Sequence, residues 1–267
     1  MAGDLTISTI NGGAIGAKNA LINGNFGINQ RAVSGTVTLS AGAYGHDRFK
    51  AGASGCTYTF TTSNNITTLT ITAGSLIQVI EGINLQSGTY TLSWTGTAQG
   101  KIGGGSYAGS GVTGTVTGGT NLNIEFDTGT LSLVQLEAGS VATPFEHRMY
   151  GQELALCQRY YEKSFAQQTA PGNGANTTSL LTEVNSSRGY ASGSTGNDGF
   201  LIQYKVTKRT SPTLNPFGNS LGQWLLAGNS NAGLTIVASG ESGFAAYQTH
   251  GAAVISFRGH WASSAEL

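Results

Sequence analysis

Short segments in which apolar residues alternate with threonine and serine recur along most of the chain. Segments with this period of two occupy residues 56–60, 69–71, 89–94, 122–126 and 131–136. Such alternation is typical of antiparallel strands that bury one face. A more continuous apolar run at residues 75–83 and short pieces at residues 20–23 and 26–28, on either side of a Gly24-Asn25 turn signal, predict further strands. Roughly eight strands in this region predict a sandwich, with a jelly roll as the expected version.

One stretch departs from the strand pattern and predicts a helix. Pro144 fixes its own φ and pushes Thr143 into an extended conformation, which ends the preceding strand at a corner. After Gly151, residues 153–161 are mostly good helix formers. The whole stretch, residues 133–162, is therefore interpreted as the joint between two β regions.

The predicted helix carries an apolar face. Leu154, Cys157 and Tyr161 fall on that face at spacings of three and four residues. A helix of about three turns is marginal in isolation. A bundle of three identical helices would bury these side chains, so Leu154, Cys157 and Tyr161 are predicted to form a trimer interface.

A second β region follows a polar link at residues 164–178. Its expected strands are residues 180–184, 199–206, 223–226, 234–237, 243–247 and 253–261. The chain is thus predicted to be all-β, with an N-terminal jelly-roll β-sandwich, a short linker helix and a smaller C-terminal β-sandwich. The predicted boundaries are an N-terminal arm or attachment segment at residues 1–20, the first sandwich at 21–148, the linker helix and loop at 149–178, and the second sandwich at 179–267.

Residues 101–119 are dominated by Gly, Ser and Thr, and are expected to be either a long hairpin with weak sides or a surface loop.

Composition narrows the classes of partner. Only 10% of the 267 residues are charged and the formal net charge is zero, whereas globular chains average about 25% charged residues. Nucleic-acid binding needs clustered Lys and Arg, so it is not expected. No apolar run approaches the ~20 residues of a membrane span, and the N-terminus lacks the features of a secretory signal. We therefore expect a protein made in the cytoplasm that does not insert into a membrane.

The two cysteines, Cys56 and Cys157, are about 100 residues apart on different kinds of predicted element. Two buried, reduced thiols are favoured over a disulfide.

Catalytic signatures are absent from the sequence. It contains no nucleophile elbow, zinc-protease motif, paired CxxC or P-loop, and no two histidines have ligand spacing. Glu125 and Asp127 share a strand face, and Asp47 and Glu81 are further carboxylates that a glycosidase could use. Surface carboxylates of a β-sandwich are the favoured explanation. No enzyme activity, catalytic residue, metal or cofactor is therefore predicted.

Aromatic side chains are the positive chemical feature of the C-terminal region. Those expected near strand ends or loops are Tyr190, Trp224, Tyr247, His250, His260 and Trp261. Sugars present apolar C–H faces to flat rings, and a weakly charged surface suits neutral glycans. These residues form the predicted receptor-binding set, although core filling is favoured for Trp224 and Trp261 taken singly.

Several motifs resemble those of bacteriophage tail fibre and receptor-binding proteins that contain a carbohydrate-binding-like jelly-roll domain. The motifs are LINGNF at residues 21–26, HDRF at 46–49, VQLEAGSVATPFE at 134–146, YGQELALCQRYY at 150–161, KRTSPT at 208–213 and GHWASSAEL at 259–267. They extend over most of the chain. His46 departs from the family, which often has Ala at that position.

The resemblance implies a virion tail protein, a homotrimer whose C-terminal domain contacts a host cell-surface glycan, lipopolysaccharide or capsule. Other virion tail proteins would attach through the N-terminal arm. The family has no fixed receptor residues, so none is carried over. A tail-associated polysaccharide depolymerase and a purely structural tail subunit are the alternative functions.

Overall fold

The structure is a computed structural model that describes residues 9–10, 13–14, 18–173, 187–190, 196–218, 224–226, 231–232, 235–250 and 256–267. Within these ranges the side chains of residues 18–173, 201–218, 235–247 and 259–267 are described. The chain is mostly antiparallel β-structure, and the predicted all-β sandwich class is confirmed. No helix in the described part is long and apolar enough to cross a membrane.

The chain is divided into two compact units. The first comprises Met1–Ile28 and Ser34–Glu153, and the second comprises Asn29–Val33 and Leu154–Leu267. The strands of the first unit are β1 (Thr9–Ile10), β2 (Gly13–Ala14), β3 (Val37–Leu39), β4 (Phe49–Ser63), β5 (Ile66–Ile80), β6 (Gly88–Thr95), β7 (Gly100–Ile102), β8 (Val112–Val116), β9 (Leu122–Phe126) and β10 (Gly129–Ala138). The boundary between the units at Glu153 and Leu154 lies within the segment predicted to link the two sandwiches.

Strand β5 connects the two halves of the first unit. Its N-terminal half pairs with β10 and its C-terminal half with β9, which in turn pairs with β7. Strand β10 continues to β6, and β6 to β8. Trp94 of β6 packs edge-on against Phe126 of β9, with ring centroids 5.3 Å apart. Strands from the two parts of the network therefore face each other across one core, as in a sandwich.

The core of the first unit follows the alternation in the sequence. In β9, Ile124 and Phe126 are fully buried while Glu125 between them is only partly buried. The same alternation places inward-facing residues on the other long strands. Further buried apolar side chains are Leu21, Phe26, Phe49, Tyr58, Leu69, Ile71, Leu76, Leu92, Leu131, Val134 and Leu136.

The segment before β3 differs from the expected strands at residues 20–28. No strand forms there, and Asn23 and Phe26 adopt left-handed backbone conformations with φ of 61° and 53°. The Asn23 side chain donates to the carbonyls of Ile28 and Asp47 at 2.8 and 3.0 Å. Hydrogen bonds from a buried amide side chain therefore replace the strand ladder.

Residues 101–119 form neither a plain hairpin nor a loop. They contain the end of β7 and all of β8, and these two strands pair with different partners, β9 and β6 respectively. The glycine-rich segment therefore crosses from one part of the sandwich to the other.

The corner after β10 is fixed by buried polar side chains. Glu137 accepts hydrogen bonds from the Thr143 amide and hydroxyl at 2.8 and 2.6 Å. Gln135 accepts from the Glu146 amide at 2.8 Å, and Glu146 accepts from the Asn19 amide at 2.8 Å. The motif at residues 134–146 thus satisfies its own backbone and that of the N-terminal segment, which is a structural role.

Helix α1 spans Tyr150–Gln158. The predicted helix at residues 153–161 is therefore displaced, because Tyr161 already belongs to a strand, β11 (Tyr161–Lys163), and pairs with Ser264. Pairing with the last strand of the chain overrides the helical propensity of this tyrosine.

In the second unit, the strands are β11 (Tyr161–Lys163), β12 (Ser187–Tyr190), β13 (Gly196–Gln203), β14 (Thr213–Phe217), β15 (Trp224–Leu226), β16 (Asn231–Ala232), β17 (Thr235–Ser239), β18 (Gly243–His250) and β19 (Ser256–Ser264). Strand β19 pairs with β11, β12, β14 and β15, and a separate sheet has the order β13–β18–β17. The rings of Tyr204, Phe244 and Trp261 contact one another with centroids 5.6 to 6.1 Å apart. This aromatic cluster joins the two sheets of the second unit.

A buried ion pair lies in the second unit. Lys208 Nζ is 2.5 Å from Glu162 Oε2 and also donates to the carbonyl of Gln158 at 2.6 Å. Burial lowers the pKa of Lys208, and the Glu162 carboxylate opposes that shift. The first residue of the KRTSPT motif is therefore a core residue that binds both the last residue of α1 and strand β11.

Both cysteines are buried thiols, Cys56 in the first unit and Cys157 in the second. The prediction of reduced, buried cysteines is confirmed.

Candidate functional site

Two of the aromatic residues predicted to contact a receptor are buried. His260 is 1% exposed and stacks on Phe165 with ring centroids 4.1 Å apart. Trp261 is 5% exposed and belongs to the aromatic cluster of the second unit. A receptor could reach neither side chain in the folded unit, so their place is the core rather than a binding surface.

The other four predicted receptor residues lie on strands of the second unit. Tyr247 is half-buried in β18, opposite Thr235 of β17. Tyr190, Trp224 and His250 lie in β12, β15 and β18, and their side chains are outside the described residues. A receptor-binding role for these four residues stays a prediction.

The three predicted trimer-interface residues differ in accessibility. Leu154 is half-buried in α1, whereas Cys157 is completely buried within its own chain. Tyr161 is 7% exposed and lies under the Arg31 guanidinium, whose central carbon is 3.9 Å from the ring centroid. A buried side chain offers no surface to another chain, so only Leu154 keeps an accessible side chain for such a contact.

The HDRF motif at residues 46–49 is entirely internal. Its four side chains are at most 1% exposed, and Arg48 donates to the carbonyl of Val79 at 2.7 Å. Burial excludes Asp47 from contact with a glycan, and Glu81 is also buried. These motif residues hold the N-terminal segment against the sandwich.

A partly exposed polar cluster in the first unit is centred on Glu125. Glu125 points outward from β9 because its neighbours Ile124 and Phe126 point into the core. Strand pairing places Ile77 of β5 on one side of Glu125 and Lys101 of β7 on the other. Cross-strand neighbours on one face of an antiparallel sheet are in side-chain contact.

Three side chains engage the Glu125 carboxylate. Ser75 Oγ donates to Oε1 at 2.6 Å, and Lys101 Nζ lies 2.9 Å from Oε2. The Tyr107 hydroxyl lies close enough to this carboxylate to interact with it electrostatically. Gly52 leaves the room for this arrangement, because a Cβ at that position would clash with Ser75 Oγ.

Tyr107 lies across the sheet face. Lys101 Nζ is 4.5 Å from the centroid of the Tyr107 ring, and the Tyr107 hydroxyl lies near Glu125 of β9 and Ser75 of β5, both of which affect its pKa. Lys101 of β7 therefore packs over the ring, and 36% of the residue remains exposed. A partly exposed aromatic ring with a cation over it can act as a stacking platform. We call Ser75, Lys101, Tyr107 and Glu125 the Tyr107 platform.

Electrostatics keep the platform in one protonation state. Burial alone would raise the pKa of Glu125, but hydrogen bonds from Ser75, Lys101 and Tyr107 and the Lys101 charge hold that pKa below its ordinary value. Burial raises the pKa of Tyr107 to about 12, aided by the Glu125 hydrogen bond and by the charges of Glu125 and Asp127. Glu125 is thus ionised and lacks the proton that a glycosidase acid must donate.

The sequence carries one signal for Tyr107. It is the single aromatic residue in the glycine-rich stretch 101–119. Glu125 belongs to the carboxylate pair considered above, but Asp127 does not share its contacts, because its Oδ1 accepts from the Gln99 amide at 2.7 Å.

Across the described residues, no group of three or more His, Cys, Asp and Glu side chains could hold a metal ion.

The chain matches no protein-family model, and no curated protein and no solved structure shows significant similarity to it.

Proposed function

We propose that this protein is a bacteriophage tail fibre or receptor-binding protein that attaches the virion to a glycan on the host surface, lipopolysaccharide or capsule, without cleaving it. The resemblance of the sequence motifs to such proteins motivates the proposal. The protein would be a homotrimer in the virion tail, attached to other tail proteins through residues 1–20.

The observation that carries the proposal is the Tyr107 platform. Its partly exposed ring offers an apolar surface for the C–H face of a sugar, while Lys101 and Ser75 supply donors beside it. Binding sites for small polar ligands combine an apolar wall with a few placed polar groups in this way. The contact between Lys101 and Glu125 leaves the platform without net charge, which suits an uncharged glycan.

Adhesion without cleavage is favoured by the state of Glu125. The residue that protonates a leaving group in a glycosidase has a raised pKa, and the pKa of Glu125 is lowered. A depolymerase would need another acid in position.

The experiment is to label the protein with a fluorophore and measure its binding to a panel of bacterial strains before and after extraction of surface polysaccharide. We expect at least one strain to bind the protein, and to lose that binding after extraction. Tyr107→Ala should weaken binding about tenfold, as truncation of a central aromatic contact does. The control is Tyr150→Ala, since Tyr150 is 58% exposed on α1 and outside the platform.

Different results would favour the other functions. Shortening of the extracted polysaccharide during incubation would indicate a depolymerase. Failure to decorate any strain, with the protein retained in virions, would indicate a structural tail subunit.

A further inference from the structure

A row of six side-chain positions crosses the outer face of the first unit. The register aligns Lys50 of β4 with Ile77 of β5, Ile77 with Glu125 of β9, and Glu125 with Lys101 of β7. An isolated bridge pairs Tyr44 with Lys50, and the bridge between Gly100 and Ala108 brings Tyr107 opposite Lys101. The row is Tyr44, Lys50, Ile77, Glu125, Lys101 and Tyr107.

Directly paired residues of antiparallel strands point to the same face. The row therefore lies on the side opposite the core, and its six members are all partly accessible, including half-buried Tyr44 and Ile77. Adjacent strands are about 4.8 Å apart, so five steps place the two tyrosines about 24 Å from each other.

The two ends of the row have the same chemistry. A tyrosine stands at each end, Ile77 supplies an apolar patch between them, and Lys50 and Lys101 supply donors on either side of it. Glu125 neutralises Lys101 at 2.9 Å, so no block of one charge develops. Such alternation of apolar and polar groups matches a chain whose units each present a C–H face and a rim of hydroxyls.

We infer that the row binds a linear, uncharged polysaccharide that runs across the strands from Tyr107 to Tyr44. The inference rests on the proposed function and adds to it the class and direction of the ligand. A single sugar would contact only the Tyr107 platform, whereas a chain of several sugars would reach Tyr44 as well. Linking the two contacts in one ligand makes the second contact intramolecular, so affinity should rise with chain length.

The experiment measures affinity for graded oligosaccharides of β-linked glucose, galactose and N-acetylglucosamine, from monomer to octamer, with the full-length protein. We expect wild-type affinity for at least one series to increase with length until the chain spans the row. Tyr107→Ala should weaken all lengths about tenfold. Tyr44→Ala should weaken the long oligomers to a similar degree and leave the monomer and dimer unchanged, and Tyr150→Ala should change none of them.

Three results would overturn the inference. They are affinity that does not depend on length, equal effects of Tyr44→Ala on short and long oligomers, and no binding of any series. The first two results are compatible with binding to cells that Tyr107→Ala weakens. The proposed function would then stand with a ligand confined to the platform.

Discussion

Among single residues, His46 shows how burial in the core of the first unit changes the protonation of a side chain. Its ring is 1% exposed, lies edge-on to Phe60 with centroids 4.6 Å apart, and has Nδ1 3.0 Å from the Tyr58 hydroxyl. Burial lowers the pKa of His46 from 6.5 to about 4. The imidazole is therefore neutral in the folded protein under conditions where an unfolded chain would begin to protonate it.

This shift predicts a loss of stability in acid. Above pH 6.5 His46 is neutral in both the folded and the unfolded state and does not change the free energy of unfolding. Below pH 6.5 the unfolded chain binds a proton at His46, whereas the folded chain binds it only near pH 4. Over this window the free energy of unfolding should fall by up to about 3 kcal/mol through this residue. Denaturant titrations at several pH values should show that His46→Gln has a shallower pH dependence than wild type. Parallel pH profiles for the two proteins would contradict the assignment.

At the scale of elements, β4 and β5 are long strands that bend where two glycines meet. Gly55 and Gly74 have φ of 80° and 72°, and the strand register shifts between Ala51 and Cys56. Only glycine adopts this backbone without strain. A Cβ on Gly74 would also clash with the carbonyl oxygen of Gly55.

Gly74→Ala should therefore destabilise the first unit more than Gly42→Ala. Both positions have φ above 70°, so in both variants the left-handed backbone of the new alanine should destabilise the folded state by about 1–2 kcal/mol. A Cβ at Gly42 meets no atom within 4 Å, whereas at Gly74 it collides with backbone, which should raise the total to about 3 kcal/mol or more. Equal shifts of the urea unfolding midpoint would show that the bend is not tightly packed.

Elements with a strong local signal are predictable from the sequence, and those defined by tertiary contacts are not. The strand at residues 122–126 forms as the alternation predicts, with Leu122–Phe126 as its bounds. Tyr161 looks helical until pairing with Ser264 is known, and the piece at residues 26–28 is apolar yet irregular because Asn23 bonds its backbone. Hydrophobic periodicity and secondary-structure propensity depend on residues that are near in sequence, whereas these two outcomes depend on contacts with residues that are distant in sequence.

The candidate site was predictable only in part for the same reason. Glu125 stands out as an outward-facing carboxylate on a strand. Its partners Ser75, Lys101 and Tyr107 come from β5, β7 and a glycine-rich turn, and only the strand register brings them together. His260 and Trp261 look like exposed aromatics near a strand end, but packing against Phe165 and Phe244 places them in the core.

For the whole molecule, the proposed trimer is open to a direct measurement. We expect light scattering after size-exclusion chromatography to give about three times the chain mass of 27.4 kDa over a range of concentrations. Leu154→Glu should lower that mass if accessible Leu154 contributes to the interface, because a charge cannot be buried unpaired there. A monomer at every concentration would contradict the trimer while leaving glycan binding by the Tyr107 platform untouched.

We propose that the first unit binds a host glycan on the Tyr107 platform. The most direct measurement is a crystal structure of the protein with an oligosaccharide prepared from the surface polysaccharide of a strain that it decorates. We expect a sugar ring stacked on the Tyr107 ring, with sugar hydroxyls hydrogen-bonded to Lys101 and Ser75. An ordered sugar bound only to the second unit, with the Tyr107 ring bare, would contradict it.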